Sequence, residues 1–105
     1  MFVVVDKFEI LNIYLFCFER DWRLRSEKLR KAKGFINFEL MRGKCSDIFT
    51  TYNCQTKWAS KEKFLEWLNS DNFFEIREET PSNFSFHYSI PVHECYEPVS
   101  YTHLR

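Results

Sequence analysis

Hydrophobic and polar residues alternate through the first ten positions, which predicts a β-strand over Phe2–Ile10. One face of this strand carries Phe2, Val4, Asp6, Phe8 and Ile10, and the other carries Val3, Val5, Lys7 and Glu9. The first face is apolar apart from one carboxylate, and the second is half apolar. We therefore expect a strand that is covered on one side and partly covered on the other.

A helical spacing replaces the alternation between Asn12 and Lys33. Apolar side chains recur there in one stripe, and Arg, Lys and Glu fill the remaining positions; the stripe consists of Leu15, Phe18, Trp22 and Leu29. Asn12 is a residue type that caps helix N-termini, and Gly34 is the type that follows helix C-termini. The pattern predicts a helix between these two residues.

A hairpin and a second helix follow. The strands are predicted over Phe35–Met41 and Ile48–Trp58, with a polar turn over Arg42–Asp47. Ser60 can cap a helix that runs to about Glu79, with Phe64, Trp67 and Leu68 facing inward.

Pro81 is expected to end that helix, and Pro91–Val99 is predicted to form a last strand with prolines near its ends. The order strand, helix, strand, strand, helix, strand predicts an α+β, ferredoxin-like βαββαβ domain, an antiparallel sheet with both helices on one face. We expect one domain over residues 1–99. The tail, residues 100–105, has no pattern that would pack and is expected to be disordered or non-native.

The other face of such a sheet needs a cover. Val3, Val5 and Phe49 are candidates for that face, and a second copy of the chain can cover it. The sequence therefore predicts a homodimer, in which two sheets form a dimeric α/β barrel.

Charge and cysteine content exclude several classes of protein. Fifteen basic and fifteen acidic residues give a net charge of +0, so nothing draws the chain to nucleic acid or an anionic membrane. The opening apolar run meets Asp6 and Lys7 too early for a signal peptide or a membrane span. The 4 cysteines form no C-x-x-C pair, which argues against zinc and favours buried free thiols in the cytoplasm.

Asp6 is the most unusual residue, because the alternation places it on the most apolar face of the first strand. An ionised carboxylate without a partner is costly to bury, so Asp6 is paired, protonated or exposed to a wet pocket. A purely structural ion pair explains it equally well. Trp67, in the middle of the second helix, has the same two interpretations: a core residue or the wall of a pocket.

Four segments, taken in order, resemble the antibiotic biosynthesis monooxygenase superfamily, and especially its branch of Isd-type heme-degrading monooxygenases: Val3–Phe8, Gly34–Leu40, Trp58–Glu62 and Phe64–Phe73. The resemblance covers roughly Phe2 to Glu79 and is weaker over Pro91–Val99.

The resemblance implies three site positions: an Asn on the first strand, a Trp on the second helix, and a His near the end of that helix that ligates heme iron. Trp67 matches the Trp, Asp6 stands at the Asn position, and Arg77 stands at the His position. A guanidinium has no lone pair to give to iron, and an ionised Asp cannot donate a hydrogen bond. Asp6 and Arg77 are instead predicted to form a bidentate pair.

The function implied by the resemblance is O2-dependent oxidation of a flat aromatic molecule, either heme or a phenolic compound oxidised without a cofactor. Asp6, Trp67 and Arg77 are the candidate catalytic residues, with Phe8, Phe38 and Phe64 lining the substrate pocket. His87, in the run Phe84–Tyr88, is a candidate substitute ligand if heme is bound. The competing interpretation is a dimeric binding or scaffold domain that kept the fold and lost the chemistry.

Overall fold

The structure, a computed structural model, describes residues 1–71, 73 and 86–99. Its elements alternate in the expected order, with one short 3-10 turn over Asn12–Tyr14 before the first helix. They are β1 (Phe2–Leu11), α1 (Leu15–Leu29), β2 (Phe35–Cys45), β3 (Phe49–Trp58), α2 (Lys61–Leu68) and β4 (Val92–Tyr96).

The four strands form one antiparallel sheet in the order β2-β3-β1-β4. β1 and β3 pair along their whole lengths, from Phe2 opposite Trp58 to Leu11 opposite Phe49. β4 pairs with the other edge of β1, which sets His93 opposite Asp6. This topology confirms the predicted ferredoxin-like α+β fold.

The two-residue period of the strands divides the sheet into two faces. The inner face, which packs on the helices, carries the even-numbered residues of β1 and β3, and in β3 these are buried without exception. Helix α1 contributes Phe18, Trp22 and Leu29 to the core, and α2 contributes Trp67. The predicted inward stripes of both helices are therefore confirmed.

The start of the first helix differs from the prediction. Asn12 does not cap a helix, and its side chain instead donates a hydrogen bond to the Ser46 carbonyl at 2.8 Å and accepts one from the Thr50 hydroxyl at 2.7 Å. These bonds tie the end of β1 to the β2–β3 turn. That turn is shorter than predicted, because β2 continues to Cys45 and Ser46 accepts hydrogen bonds from the amides of Ile48 and Phe49.

The helix ends also differ. Helix α1 ends at Leu29, and Gly34 lies in the following turn rather than directly after the helix. Ser60 caps α2 as predicted, since its hydroxyl accepts from the Lys63 amide at 3.2 Å. Helix α2 ends at Leu68, where the Ser70 hydroxyl donates to the Trp67 carbonyl at 2.7 Å. Asp71 and Phe73 are again helical, and the rest of the predicted helix to Glu79 lies outside the described residues. The expected stop at Pro81 lies outside the described residues.

Residues 86–90 follow the edge of β1 beyond β4 and contribute to both faces of the sheet. The Tyr88 amide donates to the Glu9 carbonyl at 2.7 Å, and His87 forms a single bridge with Ile10. On the outer face, Tyr88 stacks on Phe49 with 4.3 Å between ring centroids. Phe49, predicted to be uncovered, is thus partly covered by its own chain.

The four cysteines are free thiols, as predicted, but only Cys54 is buried; Cys17 is half-buried, and Cys45 and Cys95 are exposed. In the described part of the chain, neither helix is long and apolar enough to cross a membrane.

Gly34 has a positive φ of 82°, and a Cβ atom there would lie 2.5 Å from Lys63 Cγ. We predict that Gly34→Ala destabilises the protein by about 2 kcal/mol in total. One part comes from the left-handed backbone conformation, which disfavours alanine, and the other from the steric overlap with Lys63. Because Lys63 Cβ would also lie 2.6 Å away, only a Lys63→Gly background removes the overlap, and there the cost of Gly34→Ala should fall to about 1 kcal/mol. Urea denaturation of the four proteins measures this; an equal cost in both backgrounds contradicts the steric part.

Candidate active site

The inner face contains one acidic side chain within an apolar surface. Asp6 lies between Val4 and Phe8 along β1 and opposite the fully buried Cys54 of β3. Its side chain is 19% exposed, so it is neither in bulk water nor sealed in the core. At this exposure water hydrates the carboxylate only in part, so Asp6 needs a hydrogen-bond partner from the protein.

His93 is the described partner of Asp6. The two residues are directly opposite in the β1–β4 pair, and the His93 Nδ1 is within hydrogen-bond distance of the Asp6 carboxylate. The imidazole is 66% exposed at the edge of the sheet. An Nδ1–H that donates to the carboxylate fixes the tautomer in which the outer nitrogen, Nε2, carries the lone pair. Sequence reasoning missed His93, because only the register of β4 against β1 reveals this contact.

Arg77, the predicted partner of Asp6, lies outside the described residues. A different arginine is near the site: the Arg25 guanidinium of α1 lies over the Trp22 ring, 5.2 Å from its centroid. Burial lowers the pKa of Arg25, while the charges of Asp21 and Asp6 act to raise it. Arg25 therefore adds a cation to the same side of the sheet, and its place on the helix gave no signal in the sequence.

Cys54 is a core residue rather than a nucleophile. It is fully buried, and burial together with the negative charge of Asp6 raises the pKa of its thiol. The thiolate, which is the reactive form, is therefore disfavoured at neutral pH.

The four aromatic residues predicted to wall one pocket are divided between two clusters. In the first, Trp67 lies 6.2 Å from Trp58 between ring centroids, and Phe64 lies 5.6 Å from the same Trp58. Trp67 is only 6% exposed. A groove of about 220 Å³ borders Trp67 on the outside, and lysines line it.

In the second cluster, Phe8 and Phe38 both pack on Trp22 at 5.8 Å, Phe38 nearly parallel to it with an interplanar angle of 13°. Phe8 also contacts His87, with 5.7 Å between ring centroids. This second cluster, not the one around Trp67, adjoins Asp6 along β1. Trp67, Phe64 and Asp6 are thus on one face of the sheet, but the described contacts do not join them.

His87 enters this face from the segment that follows the edge of β1. Its ring packs on Phe8 and Phe18, and its Nδ1 atom is buried with no hydrogen-bond partner among the described residues. Burial, and secondarily the charge of Arg25, lowers the pKa of His87. The imidazole is therefore neutral at physiological pH.

Heme requires a slot for a wide flat ring and an accessible ligand for iron, and the described residues do not fit these requirements. Trp22–Phe38 and Trp58–Trp67 are in direct ring contact, so a macrocycle would have to separate α1 or α2 from the sheet. The Nδ1 of His87 is enclosed by protein atoms. Within residues 1–71, 73 and 86–99, no cluster of His, Cys, Asp or Glu is suited to a metal ion either.

A second polar network lies on the inner face beside the Trp22 cluster, because Tyr52 is directly opposite Phe8 and packs on Phe18. The Glu19 carboxylate of α1 accepts hydrogen bonds from the Tyr52 hydroxyl and from the Arg42 guanidinium. Burial and the bond to Glu19 raise the pKa of Tyr52 to about 12, while Arg42 and Tyr52 lower the pKa of Glu19. These bonds join α1 to β2 and β3, and we assign them a structural role.

Comparison with known proteins identifies the family. The family model for antibiotic biosynthesis monooxygenases matches residues 1–79 of this 105-residue chain. The fold and this match together define an α+β domain of that class. The chain belongs to the antibiotic biosynthesis monooxygenase family. No match is found among curated proteins.

Solved structures of the same fold share little sequence with this chain. A putative antibiotic biosynthesis monooxygenase from Caulobacter crescentus is 18% identical, with a TM-score of 0.76, 94% of this chain covered and 90% of that one. SnoaB, a cofactor-independent oxygenase from Streptomyces nogalater, is 15% identical with a TM-score of 0.75, covering 94% and 93%.

A structure of MhuD with two manganese protoporphyrin IX molecules bound per active site is also similar. It is 19% identical with a TM-score of 0.74, and the match covers 95% of this chain and 96% of MhuD. At these identities the likeness shows the fold alone.

The Glu19 network predicts a pH-dependent contribution to stability. Because folding lowers the pKa of Glu19, its contribution is complete above the ordinary value of 4.5 and is lost as the pH falls through the lower folded value. We predict that Glu19→Gln costs about 1 kcal/mol at pH 7, a small figure because the carboxylate is 39% exposed. The cost should shrink well below pH 4.5. Urea denaturation measures it, with Glu27→Gln on the same helix as control; a cost independent of pH contradicts the assignment.

Proposed function

We propose that this protein is an oxygenase that uses O2 to oxidise a flat phenolic molecule without heme, metal or flavin. Membership of the family supports oxidation as the reaction class. The name of SnoaB, a cofactor-independent oxygenase of the same fold, supports the cofactor-free form. The poor fit of heme to the described inner face favours the phenolic substrate over heme.

The observation that carries the proposal is the placement of Asp6 beside an aromatic wall. Phe8 follows it on the same face of β1, and Phe8 packs on Trp22. Apolar rings hold a flat substrate, while the carboxylate and its hydrogen-bonded partner provide the polar group that orients it. A negative charge at this point also assists loss of a phenolic proton.

The overall reaction balances with O2 as the only oxidant. An anthrone, a flat aromatic ketone, serves as the example substrate, and its ring methylene becomes a carbonyl. One oxygen atom of O2 enters the product, and the other leaves as water with the two methylene hydrogens. The methylene carbon loses four electrons and O2 gains them. The protein removes a proton to make the electron-rich anion, holds the ring and excludes water.

The remaining predicted residues take supporting roles in this proposal. Phe8 is proposed to contact the substrate beside Asp6, and Phe38 to hold the Trp22 ring that packs on Phe8. Trp67 and Phe64 keep α2 on the sheet. Arg77 stays a predicted catalytic residue that would stabilise the anion. The domain is proposed to span residues 1–99, and the exposed free thiols of Cys45 and Cys95 favour a reducing compartment such as the cytoplasm.

We further propose that the active form is a homodimer that joins the outer faces of two sheets. Val3 and Val5 lie on that face, although Val5 is already buried in the single chain. A groove of about 570 Å³ is lined by Met41, Ile90 and Val92, among others. Met41, Ile90 and Val92 are all exposed in the single chain. A second copy of the chain that packs on this face buries these exposed apolar side chains in both protomers.

A scaffold without chemistry is the second candidate, and the buried position of Trp67 favours it. Trp67 contacts Trp58 and Phe73 and so serves the core in the single chain. A core role needs no substrate.

Oxidation of 1,8-dihydroxyanthrone, followed with an oxygen electrode and by the absorbance of the anthraquinone product, tests the function. We predict that the protein accelerates the reaction over buffer and that Asp6→Ala lowers kcat by about 100-fold. Glu27→Gln, on the exposed side of α1, serves as control and should leave the rate unchanged. No acceleration by the wild-type protein contradicts the enzyme and favours the scaffold.

Heme titration separates the two substrate classes. The proposal predicts no ligated-iron Soret band on adding heme to the purified protein. A saturable band that is lost in His87→Ala contradicts the phenolic assignment and points to heme with His87 as its ligand.

The dimer is tested by sedimentation equilibrium at micromolar concentration. Val92→Asp puts a charge into the proposed interface, where desolvation is costly, and should shift the mass from dimer to monomer. Ile13→Asp is the matched control, because Ile13 is 80% exposed but lies in the 3-10 turn away from the outer face. A monomeric wild type, or a dimer unaffected by Val92→Asp, contradicts the proposed interface.

A further inference from the structure

We infer that His93 is the proton acceptor of this site and that Asp6 is the residue that positions it. This inference rests on the proposed function and names the base that the oxidation needs. The resemblance to the family implies no functional residue on β4, and no pattern in the sequence marks His93. The assignment comes from the register of β4 against β1.

The geometry of the β1–β4 pair brings Asp6 and His93 together. Asp6 and His93 are directly opposite residues of adjacent antiparallel strands, so both side chains emerge on the inner face. The Nδ1 of His93 meets the Asp6 carboxylate. The strand register fixes the backbone positions of both residues, and the contact with the Asp6 carboxylate orients the imidazole. A base on rigid strands is better oriented than one on a loop.

The Nε2 end of the His93 imidazole is open to a substrate. With Nδ1–H engaged by Asp6, the lone pair of His93 lies on Nε2, and the side chain is 66% exposed. A small molecule can therefore reach it. His87, in contrast, has its Nδ1 enclosed and packs between Phe8 and Phe18. Of these two histidines on the inner face, His93 is the one arranged for proton transfer.

The Asp6–His93 pair also lies next to the aromatic cluster around Trp22. Asp6 adjoins Phe8 on the same face of β1, and Phe8 contacts Trp22 at 5.8 Å. We place the flat ring on the β4 side of Phe8, not between Trp22 and Phe38, which are in direct contact, so that one edge of the ring faces β4. A hydroxyl on that edge can then donate to His93 Nε2.

The proton balance is closed within the reaction. His93 Nε2 takes the proton of the phenolic or enolic hydroxyl, and the imidazolium is stabilised by the Asp6 carboxylate. The former methylene carbon of the anion then forms a bond to one atom of O2, and the proton on Nε2 passes to the other atom, which gives a hydroperoxide and neutral His93. The O–O bond of the hydroperoxide breaks as the remaining C–H bond of that carbon gives way to the carbonyl, and the outer oxygen leaves as water with both hydrogens.

The test uses His93→Ala with 1,8-dihydroxyanthrone as substrate. We expect kcat to fall by about 100-fold or more with little change in KM, because the base is lost while the aromatic contacts stay. Imidazole added to the buffer should restore part of the rate in His93→Ala. It should not restore the rate in Asp6→Asn, where His93 still fills the position. Cys95→Ser, on the same strand and face, is the control and should keep the wild-type rate.

Proton NMR provides a readout that does not depend on turnover. The His93 Nδ1 proton, held on a carboxylate, should give a low-field imidazole resonance that disappears in His93→Ala and in Asp6→Asn but persists in Cys95→Ser. Ring 15N shifts assign the His93 tautomer independently of proton exchange, and a neutral wild-type imidazole with its proton on Nε2 overturns the dyad.

The kinetic outcomes distinguish the two proposals. A wild-type protein that does not oxidise the anthrone contradicts the proposed function, and the assignment of His93 with it. An active wild type with an equally active His93→Ala contradicts the assignment of His93 alone and leaves the oxygenase standing. Full rescue of Asp6→Asn by imidazole overturns the positioning role of Asp6.

Discussion

The contact on which the structure depends is that between the aromatic inner face of the sheet and the two helices. Strand alternation collects Phe2, Phe8 and Trp58 on one face, and helix spacing brings Trp22 and Trp67 onto it. Each of these side chains buries a large apolar area, so the pairing of sheet and helices is strongly favoured. The outer face of the sheet carries more polar residues and does not pack on the helices.

This packing also decides where chemistry can occur. Trp58 with Trp67, and Trp22 with Phe38, join helix to sheet directly, so these regions are core. The β1–β4 side is different, because Asp6 interrupts the apolar surface and His93 reaches solvent. A half-buried carboxylate is tolerated there because it has a hydrogen-bonded partner. The same pair that satisfies the fold is thereby available for proton transfer.

Local patterns predicted most of the fold. The period of two in β1 and β3, the helical stripe of α1 and the Ser60 cap each depend on residues close in sequence, and each is found in the structure. Element ends were predicted less well. Asn12 has a capping side chain, but long-range bonds to Ser46 and Thr50 use it instead. Tertiary contacts of this kind leave no local signature.

The candidate site was predicted only in part, because long-range contacts leave no local pattern in the sequence. Asp6 was found because a carboxylate breaks a visible alternation. His93 was missed because its partner is 87 residues away and the pairing depends on the register of an edge strand. Arg25 was missed because a charged residue on a helix of many charged residues gives no signal. The pocket walls were placed on the right face, but their division into two clusters follows from packing alone.

The location of the bound ring tests the account most directly. Amide chemical shifts of the 15N-labelled protein, recorded while 1,8-dihydroxyanthraquinone is added as a stable product, report which face it contacts. The account predicts saturable shifts concentrated at Asp6, Phe8, Trp22 and His93. Shifts concentrated on the outer face around Met41 and Val92, or no saturable shift at all, would contradict a phenol-binding site on the inner face.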